Sequence, residues 1–215
     1  MVPDKDLRGA LSLNASAAGA QFTLVCSAVR SFDWAAARLS CGRWCTGAVS
    51  ADAYGSPLLA ASGAALVLSI TSAGRIAPQL ATPCFVLIER ALRDEGTSHH
   101  YQPPAQWSHL PQGLRAPLLG AFAGLSEPVL TGSSWTTDAP YRETAAAIAH
   151  AQELGVACVE MEAAGLYAYA AARGVAVVCF AHITNTMATD GNDFEKGADY
   201  GVRDAMAVAA AMALT

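Results

Sequence analysis

Two carboxylates, Glu160 and Glu162, stand one residue apart with Met161 between them, inside the run Gly155-Val156-Ala157-Cys158-Val159-Glu160-Met161-Glu162-Ala163-Ala164-Gly165-Leu166-Tyr167. The apolar, β-branched residues before the pair read as a buried strand. Ala163, Ala164, Leu166, Tyr167, Ala168, Ala170 and Ala171 after it read as a closely packed helix. The acids therefore fall where a strand ends and a helix begins, the edge at which open α/β sheets bind ligands. A carboxylate there gains from the helix N-terminus. It also accepts two hydrogen bonds at once, the geometry that grips a vicinal diol such as ribose. The plainer account makes both residues helix-start acids. Small apolar neighbours on both sides argue for more, because one acid must face inward and buried charge is costly.

The elements that position this pair follow from periodicity and turn chemistry. Strands are expected over 21–28, 65–70, 85–89, 128–131 and 174–182, with a weaker one over 46–51. Helices are expected over 33–39 with Ser31 as cap, over 58–62 behind Pro57, over 139–154 with Asp138 as cap and Pro140 in the first turn, and over 194–214. Thr71-Ser72-Ala73-Gly74 reads as a loop of small residues leading to Arg75, and 184–192 as a polar loop. Residues 96–112 form a long irregular stretch with Pro103, Pro104 and Pro111, and such loops are usually binding loops or lids. Strands alternate with helices throughout, which predicts the α/β class with helices on both faces of a sheet. The 215 residues suit one domain spanning 1–215, without repeats or linkers.

Hydrophobic residues make up 53% of the chain and charged residues 14%, so part of the surface is expected to be hidden in an oligomer. A net charge of −5 leaves no basic footprint for nucleic acid. No apolar run reaches membrane-spanning length, and the charged stretch Met1 to Arg8 lacks a signal-peptide core. Cys26, Cys84, Cys158 and Cys179 lie in apolar strand-like runs and read as core thiols of a reducing, cytoplasmic compartment. Cys41 and Cys45 lack a second Cys or His pair for zinc and read as structural. His99 and His100 are adjacent but have no third ligand, so no metal is expected.

Val159-Glu160-Met161-Glu162-Ala163-Ala164 followed by a Tyr-containing helix resembles the ribose-binding motif of the nucleoside phosphorylases, the family of uridine phosphorylase and the bacterial purine nucleoside phosphorylases. Arg93-Asp94-Glu95-Gly96-Thr97-Ser98-His99-His100-Tyr101 and Thr136-Thr137-Asp138-Ala139-Pro140-Tyr141-Arg142-Glu143-Thr144 agree with it. The resemblance is firm over about residues 88–189 and weak before that. It implies a three-layer αβα fold with a central mixed sheet, a nucleoside or similar ribosyl substrate, phosphate as co-substrate, no other cofactor, and a homo-oligomer, dimer or hexamer. It implies that Glu162 binds the ribose hydroxyls, that Met161 packs on the sugar and that Glu160 shapes the site.

The same resemblance distributes the remaining roles. Trp135, Thr137 and Arg142 fall where base contacts belong. Trp135 either stacks on the base or is core; Arg142 either meets a base carbonyl or pairs with Glu143 or Glu95. His100 belongs to a segment beside the pocket that helps close it. Asn185 stands where purine-specific members place a proton-donating Asp; an amide can hydrogen-bond a base but cannot deliver a proton by ionising. As a turn residue Asn185 fits its surroundings equally well.

The phosphate side departs furthest from the family pattern. Its Gly-rich loop survives only as Ala53-Tyr54-Gly55-Ser56-Pro57, its early Arg as Arg30, and its small-residue turn as Ser72 and neighbours. Ser69 stands where a phosphate-binding Arg is expected, and Ser cannot replace a bidentate guanidinium. The expected activity is N-glycosidic bond cleavage by phosphorolysis. Hydrolysis, and nucleoside binding without turnover, stay open.

Overall fold

The computed structural model describes residues 22–26, 66–185 and 201–212. The expected elements at 33–39, 46–51 and 58–62, and the phosphate candidates Arg30 and Gly55, lie outside the described residues.

Seven strands form one mixed sheet: β1 (Phe22–Cys26), β2 (Leu66–Arg75), β3 (Cys84–Asp94), β4 (Trp107–His109), β5 (Val129–Thr137), β6 (Cys158–Glu160) and β7 (Val177–Asn185). The described helices are α1 (Arg115–Leu118), α2 (Ala145–Glu153), α3 (Ala163–Arg173) and α4 (Val202–Met212). Pairing is parallel for β1–β2, β2–β7, β3–β5 and β5–β6 and antiparallel for β2–β6, β3–β4 and β3–β7. The class is α/β with a mixed sheet, as expected. One feature was not foreseen: β2 pairs β6, β6 pairs β5, β5 pairs β3, β3 pairs β7, and β7 returns to β2, so the sheet closes into a ring with β1 and β4 outside it.

Three expected boundaries are corrected by strand partners. The small residues Thr71 to Gly74 are not a loop; they carry β2 onward beside β7, with Ser72 opposite His182 and a register shift at Ala73/Gly74. The strand expected to end at Thr131 runs to Thr137, because Ser133 to Thr137 find ladder partners in β3 and Ser134 to Thr136 also in β6. Thr184 and Asn185 belong to β7, not to a polar loop. In each case tertiary pairing overrides a weak local preference for turn. The expected 139–154 helix is also divided. A 3-10 turn at Pro140–Arg142 comes first, and α2 then starts behind Thr144, whose Oγ1 accepts from Ala147 N at 3.2 Å. Asp138 is not its cap; its Oδ2 accepts from Gly96 N at 3.2 Å.

Alternation along β5 and β6 sorts side chains into two layers. Trp135 and Val159 pack with Ile76, Val156 and Ala151 of α2. Their chain neighbours Thr136 and Glu160 serve α3, whose residues Ala163 to Ala170 are all buried. α3 and α4 join the main core with Val67, Phe85, Ile88, Val177 and Phe180. Gly174, at φ 67°, ends α3 in the left-handed conformation that glycine adopts without strain. Cys84, Cys158 and Cys179 are buried and carry no disulfide. No helix among the described residues is long and apolar enough to cross a membrane.

Tyr167 fastens α3 to two strands. Its hydroxyl donates to Ile88 O of β3 and accepts from Cys179 N of β7, and burial pushes its pKa well above the ordinary value. Tyr167→Phe should therefore cost roughly 1–3 kcal/mol, the usual cost of stranding buried backbone partners. Urea unfolding measures it, and a loss within error of zero would show that the phenol is dispensable.

Candidate functional site

Parallel pairing of β3, β5 and β6 brings their carboxyl ends together. Asp94 lies opposite Thr137, and Thr136 opposite Glu160. The chain then turns through Met161 and Glu162 into α3, so the acidic pair occupies the strand–helix junction that the sequence predicts.

The two acids divide the work. Glu160 is buried and its carboxylate is taken up by the protein: Oε2 accepts from Glu162 N and Ala163 N, each at 2.7 Å, and Oε1 accepts from the Thr136 hydroxyl. Thr136 Oγ1 accepts in turn from Ala164 N at 3.0 Å. Three N–H groups of the first turn of α3 are satisfied in this way, from two neighbouring strands. Glu162 occupies the N-cap position but does not cap with its side chain; its Oε2 accepts from Met161 N at 3.1 Å. Glu162 is 6% exposed and stands at the positive end of α3. Met161, between them, is half-buried.

The other candidates separate into those gathered at this junction and those placed elsewhere. Thr137 is buried, and its Oγ1 accepts from Ala139 N at 3.2 Å. His100 is exposed on the 3-10 turn Ser98–His100, which packs on α3. Ser72 is two residues before the Gly74–Val159 pair, on the Glu160 side of the ladder. Arg142 is exposed in the turn after β5. Trp135 faces the other layer. The residue is 5% exposed and its Nε1 donates to Asp94 Oδ2 at 2.9 Å, so the core alternative describes it. Asn185 ends β7 with its backbone opposite Gly74; its side chain lies outside the described residues.

Ser69 is 1% exposed, and its hydroxyl finds no hydrogen-bond partner among the described residues. Arg75 is held locally, Nη1 donating to Leu80 O at 2.9 Å.

A model of the phosphorylase superfamily matches residues 16–215. The chain belongs to the phosphorylase superfamily. No individual curated protein matches it. The match covers the 88–189 stretch on which the resemblance was firm and also the weak N-terminal part. Membership points to nucleoside phosphorylase activity in general terms.

Three features of this superfamily member escaped the sequence. Arg93 and Glu95 are both buried at the end of β3 and organise the loop that follows. Their alternation around Asp94 was the available signal, since an acid and a base that alternate at a strand end must share a face. Thr136 has a cap-supporting role that no local pattern marks. His182 stacks on Phe85 at 4.1 Å and contacts Glu127 at 2.7 Å, a pairing across 55 positions without any local signature.

Burial pushes the Glu160 carboxyl above its ordinary value of 4.5, against the opposing pull of the Thr136, Ala163 and Glu162 donors. A raised folded value means that the folded state holds the proton more tightly than the unfolded chain. The resulting stabilisation is full below about 4.5 and fades as pH rises through the folded value. Glu160→Gln should flatten the stability profile in that window. Glu160→Ala should cost roughly 2–4 kcal/mol by uncapping α3. Urea unfolding across the window checks both, and parallel profiles for wild type and Glu160→Gln would refute the burial effect.

Proposed function

We propose that the protein cleaves the N-glycosidic bond of a nucleoside by phosphorolysis, giving ribose 1-phosphate and the free base. The observation that carries this reading is the place of Glu162 at a strand–helix junction that Glu160 builds. Glu160 is consumed in building the junction, while Glu162 is set by that junction at a helix N-terminus, where a carboxylate can accept both hydroxyls of a ribose diol. Glu162 orients the sugar as oxocarbenium character develops, with Met161 against its face. Phosphate attacks C1′ from the face opposite the base. The new C1′–O bond forms as the C1′–N bond breaks; the bonding pair leaves with the base, which takes up the proton brought by phosphate. Asn185, with Thr137 and Arg142 near the base, assists by hydrogen bonding, not by ionisation. Gly55, Arg30 and Ser72 make up the proposed phosphate cradle, and His100 the rim. The protein acts as a cytoplasmic homo-oligomer, dimer or hexamer. The exposed apolar side chains Leu119, Leu130 and Tyr141 support the assembly.

A second reading has its own support. At Ser69 β2 offers no guanidinium to phosphate, and Arg75 is tied through Nη1 to Leu80 O. A phosphate-independent nucleosidase, or a nucleoside-binding protein, accommodates that loss.

Base release from a nucleoside panel, with and without phosphate, separates these readings. Strict phosphate dependence is the expected outcome; phosphate-independent release would establish hydrolysis, and binding without release would establish the non-catalytic reading. Glu162→Ala should weaken ribosyl-ligand binding at least about 100-fold, two buried charge-assisted hydrogen bonds being lost. Calorimetric titration measures it, and unchanged affinity would exclude Glu162 from the diol site.

A further inference from the structure

Arg93 makes a set of contacts that the proposed reaction leaves unexplained. It is 8% exposed, and its guanidinium points into the loop after β3: Nε donates to Ser98 Oγ at 2.8 Å, Nη1 to Pro103 O at 2.7 Å and Nη2 to Gln102 O at 3.2 Å. Its Nη2 also meets His99 Nδ1 at 3.3 Å. Glu95 braces the same turn, both of its oxygens accepting from Ser98 N at 3.0–3.1 Å. The loop is seated directly on the start of α3. A Cβ added at Gly165, three residues after Glu162, would stand 3.3 Å from Thr97 Cγ2, and Tyr101 meets Tyr169 edge to face at 5.4 Å.

A guanidinium has only donors. The contact with His99 therefore assigns Nδ1 as the acceptor and leaves the ring proton on Nε2. His99 itself is exposed. A buried arginine thus sets the tautomer of an exposed imidazole on a loop packed against the first turn of the helix that carries Glu162.

We propose that Arg93 is a positioning residue for the ribosyl ligand: it fixes the 96–106 loop against α3 and holds His99 as a hydrogen-bond donor through Nε2–H at the rim of the site. The ligand half of this rests on the nucleoside reading above; the hold on His99 does not. Glu162 then supplies acceptors and His99 a donor, a pairing suited to a ligand that carries both hydroxyls and carbonyl or ring-nitrogen acceptors. Lysine cannot replace Arg93, since an ammonium cannot reach four acceptors spread in a plane.

The test is a double-mutant cycle on the full chain, using Arg93→Lys, His99→Ala and the double variant with uridine and inosine as probes. The readouts are KM and kcat for base release in phosphate, or the Kd of the nucleoside where release is nil, together with the ¹⁵N shifts of the histidine rings. In the wild type His99 should show protonated Nε2 and unprotonated Nδ1; Arg93→Lys should show a mixture of tautomers. Each single variant should raise KM or Kd about tenfold with kcat little changed, a loss of positioning and not of chemistry. The double variant should be no weaker than the worse single one, because both act through the same contact. Protonated Nδ1 in the wild type, Arg93→Lys binding as wild type does, or losses that multiply in the double variant would each overturn the proposal. Should Arg93→Lys fail to fold, Ser98→Ala removes the Nε acceptor and keeps the guanidinium, and the same KM and tautomer criteria apply to it. Failure of both probes to bind wild type would sink the nucleoside reading and the ligand half with it, while the nitrogen shifts would still decide whether Arg93 holds His99.

Discussion

Burying the Glu160 carboxylate beneath the first turn of α3 is the constraint on which the site depends. A carboxylate withdrawn from water is tolerated only when donors surround it. Here the donors are the N–H groups of Glu162 and Ala163 and the Thr136 hydroxyl, so a single requirement joins β5, β6 and α3. The same bonds determine where the backbone of Glu162 lies. The residue proposed to bind ligand is thus located by its neighbour two positions earlier, and the Val159-Glu160-Met161-Glu162 spacing carries a structural acid and the proposed ligand-binding one in four residues. Tyr167 anchors the helix farther along, from β3 to β7, so α3 is fastened at its first turn and again near its middle.

Much of this could be read before any coordinates. The acidic pair announces a strand–helix junction because its flanks are unambiguous, apolar before and alanine-rich after, and α3 begins where that pattern says. The buried cysteines of β3, β6 and β7 were legible for the same reason. Failures came where small polar residues are buried by partners distant in sequence. Thr71 to Gly74 read as a loop in isolation and the strand pattern over 128–131 stops before Ser133, yet both stretches become strand because distant strands pair with them, β7 with the first and β3 and β6 with the second. Closure of the sheet was illegible because it depends on a β2–β6 contact of two residue pairs, too short to leave a pattern. Trp135 shows the limit for side chains: its chemistry suits stacking on a base, yet its place in β5 turns it away from Thr136 and Glu160.

The two halves of the proposed reaction differ in how they are built. The ribose side is dense with mutually supporting contacts, from Glu160 through Thr136 to the Arg93 and Glu95 loop. Among the described residues of β2, the proposed phosphate side shows a buried serine and an arginine that donates through Nη1 to a backbone carbonyl. The proposed grip on the sugar thus rests on more contacts than the proposed phosphate cradle does.

The pairing of Trp135–Val159 beside Thr136–Glu160 has a consequence for how this sequence can vary. Adjacent positions on both strands serve opposite layers, so a single-residue insertion or deletion in the second half of β5 would exchange indole and hydroxyl. The hydrophobic layer against α2 would receive a threonine, and the cap of α3 would meet a tryptophan. Length changes in this segment are confined to steps of two or to the turn beyond Thr137, whereas substitutions that keep parity remain open. The strand behaves as a reading frame, and the ligand site inherits its intolerance of shifts.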